Sequence, residues 1–241
     1  MNFKVALTFD AEHPDRPSTP GVQERLLDQL DRLQVPATFF IQGRWAEAYP
    51  GTARQIAEAG HRIGNHSHYH ARMNHLSGFG LGWDIRTAEE MIIAATGVDP
   101  KPWFRCPFGS GATHKRVLRA VEQAGYQHVG WTAEAWDWEL HRPVEELEDT
   151  IVEGLLDAGD NAIALLHTWP HRNQIALPRI VERLRDAGAE LVRIDQLDSV
   201  TALPALGGDP PELEPDVIAQ LAEDLAAEHP PSVAQNLRVP T

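Results

Sequence analysis

The chain has 241 residues, 42% of them hydrophobic and 23% charged, with 35 acids against 21 bases and a formal net charge of −14. That is enough for one large α/β domain or two small ones, with a sizeable core, and the acidic balance argues against nucleic acid or an anionic membrane as main partner. No apolar run reaches membrane-spanning length, and Met1 lies too close to the apolar run at Val5 for a signal peptide, so the sequence as it stands reads as cytoplasmic.

In chain order, Val5–Phe9 is a short buried-strand candidate that ends on Asp10-Ala11-Glu12-His13. Acids just past the C-terminal end of an apolar strand are where parallel α/β folds place chemistry. Three prolines and Gly21 make the following stretch a loop. Val22, Leu26, Leu27, Leu30 and Leu33 then form a 3.6-residue stripe, which predicts a helix up to the break at Pro36. Ala37–Ile41 is a second buried strand, and Pro50 and Gly60 bracket a second helix. Arg62–Gly64 is a brief third strand.

This strand delivers His66-Ser67-His68-Tyr69-His70, in which His66 and His70 stand four apart. That spacing lets two imidazoles converge on a helical turn or in a tight loop. Two imidazoles plus a carboxylate are a usual protein contribution to a hydrolytic zinc site. His61, His68 and His75 are read as solvated or backbone-bonded loop histidines.

Residues 77–82 hold three glycines but match no phosphate-loop spacing, and read as a loop. Asp84–Thr96 is helical, with Ile85, Ala88, Met91, Ile92 and Ala95 inward. Trp103–Gly109 starts as a strand and ends in a Pro/Gly turn; within it Cys106, the only cysteine, is read as a packing residue. Thr113–Ala124 is a helix and Tyr126–Trp131 a strand, followed by Glu134, Asp137 and tryptophans at its end. Pro143–Leu156 is helical, Ala162–Leu166 is a buried strand ending on His167, Ile175–Ala187 is a helix and Glu190–Ile194 a last strand. Asp195–Leu203 reads as a short helix or turn.

Strand and helix thus alternate about seven times, the pattern of right-handed βαβ units in a parallel sheet or barrel. The expected fold is α/β, a distorted (β/α)7–8 barrel over residues 1–205. Residues 206–241 are expected to be an acidic linker and a helix packed on the barrel, with seven acids and one base after residue 200.

Five strand ends supply Thr8-Phe9-Asp10-Ala11-Glu12, His66-Ser67-His68-Tyr69-His70, Arg105-Cys106-Pro107-Phe108-Gly109, Glu134-Ala135-Trp136-Asp137-Trp138 and Leu165-Leu166-His167. In this order and spacing the sequence resembles the polysaccharide deacetylase family (NodB-like, carbohydrate esterase family 4). The family's motifs run Thr-Phe-Asp-Asp, His-Ser/Thr-x-x-His, Arg-x-Pro-x-Gly, Asp-x-x-Asp-Trp and Leu-x-His. The resemblance implies a divalent metal, zinc first and cobalt, nickel or manganese as alternatives, on His66, His70 and a first-strand carboxylate. It implies Asp10 as general base, His167 as general acid, Asp137 as the partner of His167 and Arg105 as the partner of Asp10. It further implies the Phe108 backbone N–H as an oxyanion donor and Trp138 as an apolar wall beside the acetyl methyl.

Ala11 replaces the family's metal-ligating aspartate, and a methyl group binds no metal. Glu12 is the expected substitute; a two-histidine site completed by water, or no metal at all, is the other outcome. Glu134 in place of aspartate keeps the charge and changes reach. The activity implied is N-deacetylation of chitooligosaccharide- or peptidoglycan-type saccharides. Hydrolysis of another amide, cyclic imide or acyl ester at the same site is the alternative, and a sugar-binding protein without catalysis the third. Trp83, Trp136 and Trp169 are open between sugar stacking and packing.

Overall fold

The structure is a computed structural model that describes residues 3–16, 18–139 and 142–200. The linker and helix expected over 206–241 lie outside the described residues.

The strands are β1 (Phe3–Ala11), β2 (Thr38–Ile41), β3 (Arg62–Asn65), β4 (Trp103–Phe104), β5 (Gln127–His128), β6 (Ala133–Glu134), β7 (Ala162–His167) and β8 (Ala189–Leu191). The helices are α1 (Val22–Arg32), α2 (Gly43–Ala48), α3 (Pro50–Glu58), α4 (Gly78–Thr96), α5 (Lys115–Gln123), α6 (Val144–Ala158) and α7 (His171–Asp186). Every strand pairing is parallel, in the order β5-β4-β3-β2-β1-β7-β6. One edge of β1 is shared, β8 pairing with Phe3–Val5 and β2 with Thr8–Ala11. The result is the expected α/β barrel in distorted form, a curled sheet whose end strands β5 and β6 are not paired with each other.

Side chains alternate across each strand. On β1, Val5, Leu7, Phe9 and Ala11 join the outer apolar layer beneath the helices, with Leu26, Ile56, Ile92, Leu155 and Leu177. Ala6 turns inward to a second cluster with Phe40, Trp131, Ile163, Leu165 and Ile194. Burying both faces is why β1, β2 and β7 read as continuous apolar runs.

Several boundaries differ from the sequence reading. Residues 78–82 are helical rather than a loop: the Ser77 hydroxyl caps the N–H of Gly80 at 3.0 Å, and Leu81 is buried. A capping bond plus one buried apolar contact outweighs the glycine penalty in that first turn. β5 stops at His128 because the next two carbonyls, Val129 and Gly130, accept from the Arg105 guanidinium at 3.4 and 3.2 Å. α7 begins four residues early, since Arg172 and Asn173 are polar but buried. α2 and the two-residue β6 were not anticipated; each is too short to carry a period. Among the described residues no helix is long and apolar enough to cross a membrane.

Candidate active site

Because all strands are parallel, their C-terminal ends share one mouth. Register sets who meets there. Asp10 pairs with His167 across β1 and β7, while Arg105 N–H bonds to Asn65 O at 3.0 Å and so places Arg105 beside His66.

Asp10 in β1 and Glu12, the residue just past its end, are two apart and both face inward, and Ala11 between them faces the helix layer. A carboxylate at position 11 of this strand would be directed into apolar packing. The backbone alternation thus carries Glu12, the expected substitute, into the cluster.

The histidine segment is a tight loop. Ser67 and His70 have φ of +62° and +57°, in the left-handed region that non-glycine residues adopt at a cost of roughly 1–3 kcal/mol each. Side chains hold it there. Asn65 Oδ1 accepts the Ser67 N–H at 2.8 Å, Ser67 Oγ accepts the His70 N–H at 3.0 Å, and the buried Asp84 carboxylate accepts the N–H groups of His68 and Tyr69 at 3.0 and 3.1 Å. His68 is buried rather than solvated, its ring lying edge-on to Tyr69 and Trp83. His61 accepts the Ala37 N–H, as a backbone-bonded histidine.

The loop turns His66 Nε2 and His70 Nε2 to within 3.2 Å of each other. Glu12 Oε2 lies 3.4 Å from His66 Nε2 and in direct contact with His70 Nε2, and Asp10 Oδ2 lies 3.3 Å from His66 Nε2. Glu12, His66 and His70 offer three buried donor atoms within 4.8 Å of one another. The His66 Nδ1 atom lies 3.0 Å from Arg105 O, an acceptor only, so a neutral His66 spends its proton there. Its Nε2 lone pair then meets an imidazole nitrogen and two carboxylate oxygens with no proton of its own to share. A cation among them resolves that crowding, and two imidazoles with a carboxylate form a donor set suited to zinc. The residues present fit the implied metal.

Burial alone would raise the Glu12 carboxyl, but the neighbouring His70 and His167 hold it well below the usual carboxylate range. Burial lowers His70, with Glu12 opposing.

Across the mouth, His167 Nδ1 bonds Asp137 Oδ1 at 2.7 Å, and Asp137 Oδ2 accepts the His167 backbone N–H at 2.7 Å. Asn173 donates to the same Oδ2 and to His167 O. Burial disfavours an imidazolium at His167, yet Asp137, Glu12 and Asp10 together raise it to about 10. Its Nε2 points back to Glu12 Oε1, 3.7 Å away. Trp138 lies edge-on to the His167 ring at 5.2 Å, and Trp169 lies 5.9 Å from it.

Arg105 fills the barrel beneath. It is fully buried between the rings of Phe40 and Trp131 and bonds Asp10 Oδ1 at 2.8 Å. Gly64 makes room for this stack: a Cβ there would lie 2.6 Å from the Phe40 ring. Phe108 follows with φ +58° and a half-exposed ring set edge-on to His70 at 4.4 Å. Glu134 accepts from Trp131 Nε1 at 2.8 Å, and burial pushes its carboxyl upward. Cys106 is buried, its thiol pushed up to about 12 by burial, as a packing residue should be.

The structure thus gathers all nine candidate residues at or under one mouth. Sequence reasoning missed Asp84 and Asn173, whose signal is a polar side chain on the inward stripe of a helix, and it gave no role to His13.

Fold and site together define a parallel α/β barrel with a histidine–carboxylate cluster at its C-terminal edge. The chain belongs to the polysaccharide deacetylase family, whose model matches residues 2–129. It is 32% identical over 196 residues to the peptidoglycan-N-acetylglucosamine deacetylase PgdA of Listeria monocytogenes, covering 81% of this chain and 39% of that protein. With the chitooligosaccharide deacetylase of Azorhizobium caulinodans it shares 33% identity over 163 residues, 68% of this chain and 72% of the other. Among solved structures, BA3943 of Bacillus anthracis, described as a pseudoenzyme of carbohydrate esterase family 4, superposes with a TM-score of 0.72 at 26% identity, covering 81% of this chain and 65% of that one. The chain therefore spans about two fifths of the Listeria relative's length.

Proposed function

We propose that this chain is a metal-dependent hydrolase that removes N-acetyl groups from saccharides of the chitooligosaccharide or peptidoglycan type. One observation carries the reading: His66 Nε2, His70 Nε2 and Glu12 Oε2 converge in one buried cluster, while His66 Nδ1 sits 3.0 Å from the Arg105 carbonyl oxygen, which can only accept. The names of the Listeria and Azorhizobium relatives supply the substrate class. BA3943 shares the fold and is described as a pseudoenzyme, so the donor cluster rather than the fold supports activity.

Glu12, His66 and His70 would hold the ion, zinc before cobalt, nickel or manganese. When bound, the ion supplies Lewis-acid polarisation of the acetamide carbonyl and a more acidic water. Arg105 fixes Asp10 through Oδ1, which leaves Oδ2 toward the cluster to take the proton of the attacking water. The Phe108 N–H donates to the oxyanion as it develops. His167, charged by its carboxylate neighbours, gives its Nε2 proton to the departing amine, and Asp137 holds the ring in place. Trp138, packed on His167, walls the acetyl side.

Acetate release tests this with the 241-residue chain, zinc or cobalt, and acetylated chitooligomers or peptidoglycan fragments, beside a panel of small cyclic amides. The expected result is acetate from a saccharide, and loss of several kcal/mol of transition-state stabilisation, about 10³-fold in rate, in His66→Ala together with its bound zinc. Turnover of cyclic amides alone would move the substrate assignment; silence on every substrate and metal would reject the reading.

A further inference from the structure

We propose that His13 is a positioning residue that fixes Oε1 of Glu12 and thereby leaves Oε2 facing His66 and His70. The inference rests on the reading of those three residues as a metal-holding set.

Glu12 is nearly closed off, with 5% of its side chain exposed, and its two oxygens have different surroundings. Oε2 meets His66 and His70. Oε1 lies 3.2 Å from His13 Nε2, closer than the 3.7 Å to His167 Nε2. An ionised carboxylate only accepts, so this close polar contact is favourable with the ring proton on His13 Nε2.

His13 is itself held on three sides. Its backbone N–H bonds Gln42 Oε1 at 2.9 Å, and Gln42 is buried and bonded through its own N–H to Ala11 O. Its φ is +54°, in the left-handed region. Its ring lies edge-on to His70, with centroids 4.5 Å apart. Among the described residues, His13 belongs neither to the Glu12, His66 and His70 group nor to the other set of donor atoms close enough to share an ion, Asp10, Glu12 and His167, so it acts on the carboxylate and not as a ligand.

The arrangement answers a need created by the Asp-x-Glu spacing. Glutamate has one more rotatable bond than aspartate, and an unsupported Glu12 would have to lose that freedom each time an ion bound. A neighbour that fixes ligand orientation is typically worth 10–100-fold in metal affinity.

Two variants separate the polar contact from ring packing. His13→Phe keeps a ring against His70 and loses the N–H; His13→Gln loses the ring and keeps an N–H donor. Zinc affinity is measured on the full chain by competition with a chromophoric chelator, with melting of the metal-free proteins and the visible spectrum of the cobalt form alongside. The expected result is a zinc Kd about 10–100-fold weaker in His13→Phe and within about threefold of the parent in His13→Gln. The cobalt spectrum should be altered only in His13→Phe, with similar metal-free melting in all three. Equal affinities, the reverse order or equal weakening in both variants would overturn the proposal. If the parent chain binds no zinc, the metal reading of Glu12, His66 and His70 falls as well, so the two failures are told apart by the parent alone.

Discussion

His70 and His167 face one another across the mouth, both buried and both near Glu12, yet their protonation is driven in opposite directions. On the β3 side, burial wins and His70 is lowered. On the β7 side, Asp137, Glu12 and Asp10 outweigh burial and raise His167 to about 10. The difference lies in what holds each ring. His70 Nδ1 is buried without a hydrogen-bond partner in the described structure, and its loop is pinned through backbone N–H groups. His167 is clamped by a carboxylate on both its ring and its backbone. A neutral imidazole can offer a lone pair and a charged one can give a proton, so one residue type fills two roles by placement.

Asp137→Asn tests this contrast with the largest expected effect. Losing the carboxylate should bring the His167 pKa down toward that of an ordinary histidine, read by NMR titration of the metal-free protein. Deacetylation should fall by about 10²–10⁴-fold, with its alkaline limb moved to lower pH. An unmoved His167 titration would mean that Asp137 is not what charges it.

A stability measurement sharpens the comparison with a third buried histidine. His128 has no bonded ring nitrogen among the described residues, and burial, with Arg105 nearby, lowers it to about 4. A native pKa below the unfolded value near 6.5 means the unfolded chain takes up the proton first, so this group costs stability as pH falls from about 6.5 to 4. His167 has the opposite sign: its stabilisation is complete below about 6.5 and is lost as pH rises toward 10. Urea melts of the metal-free protein against pH should show both slopes, the acid one weakened in His128→Leu and the alkaline one in Asp137→Asn. An alkaline slope that survives in Asp137→Asn would break the assignment.

The smallest effect concerns the support of the β3 side. α4 carries the Asp84 that pins the histidine loop, and Ser77 caps α4. Ser77→Ala should cost about 1 kcal/mol of stability. Amide exchange should then quicken at His68 and Tyr69, and stay unchanged at His167.

The sequence alone determined the succession of strands and helices apart from α2 and β6, and the strand-end positions of Asp10, Glu12, His66, Arg105, Asp137 and His167. Both follow from short-range periodicity, with apolar runs fixing the elements and polar residues marking where each run ends. The sequence also held Ala11 beside Glu12 without showing which of them faces the mouth. That was decided by the strand's pleat and by the helix layer packed on its outer face. Only the tertiary structure brought Asp84, Asn173 and His13 to the site, stopped β5 at the Arg105 guanidinium and drew residues 78–82 into a helix. Each depends on a partner far away in the chain or on a local bond that outweighs intrinsic preference, and no local pattern records such a partner.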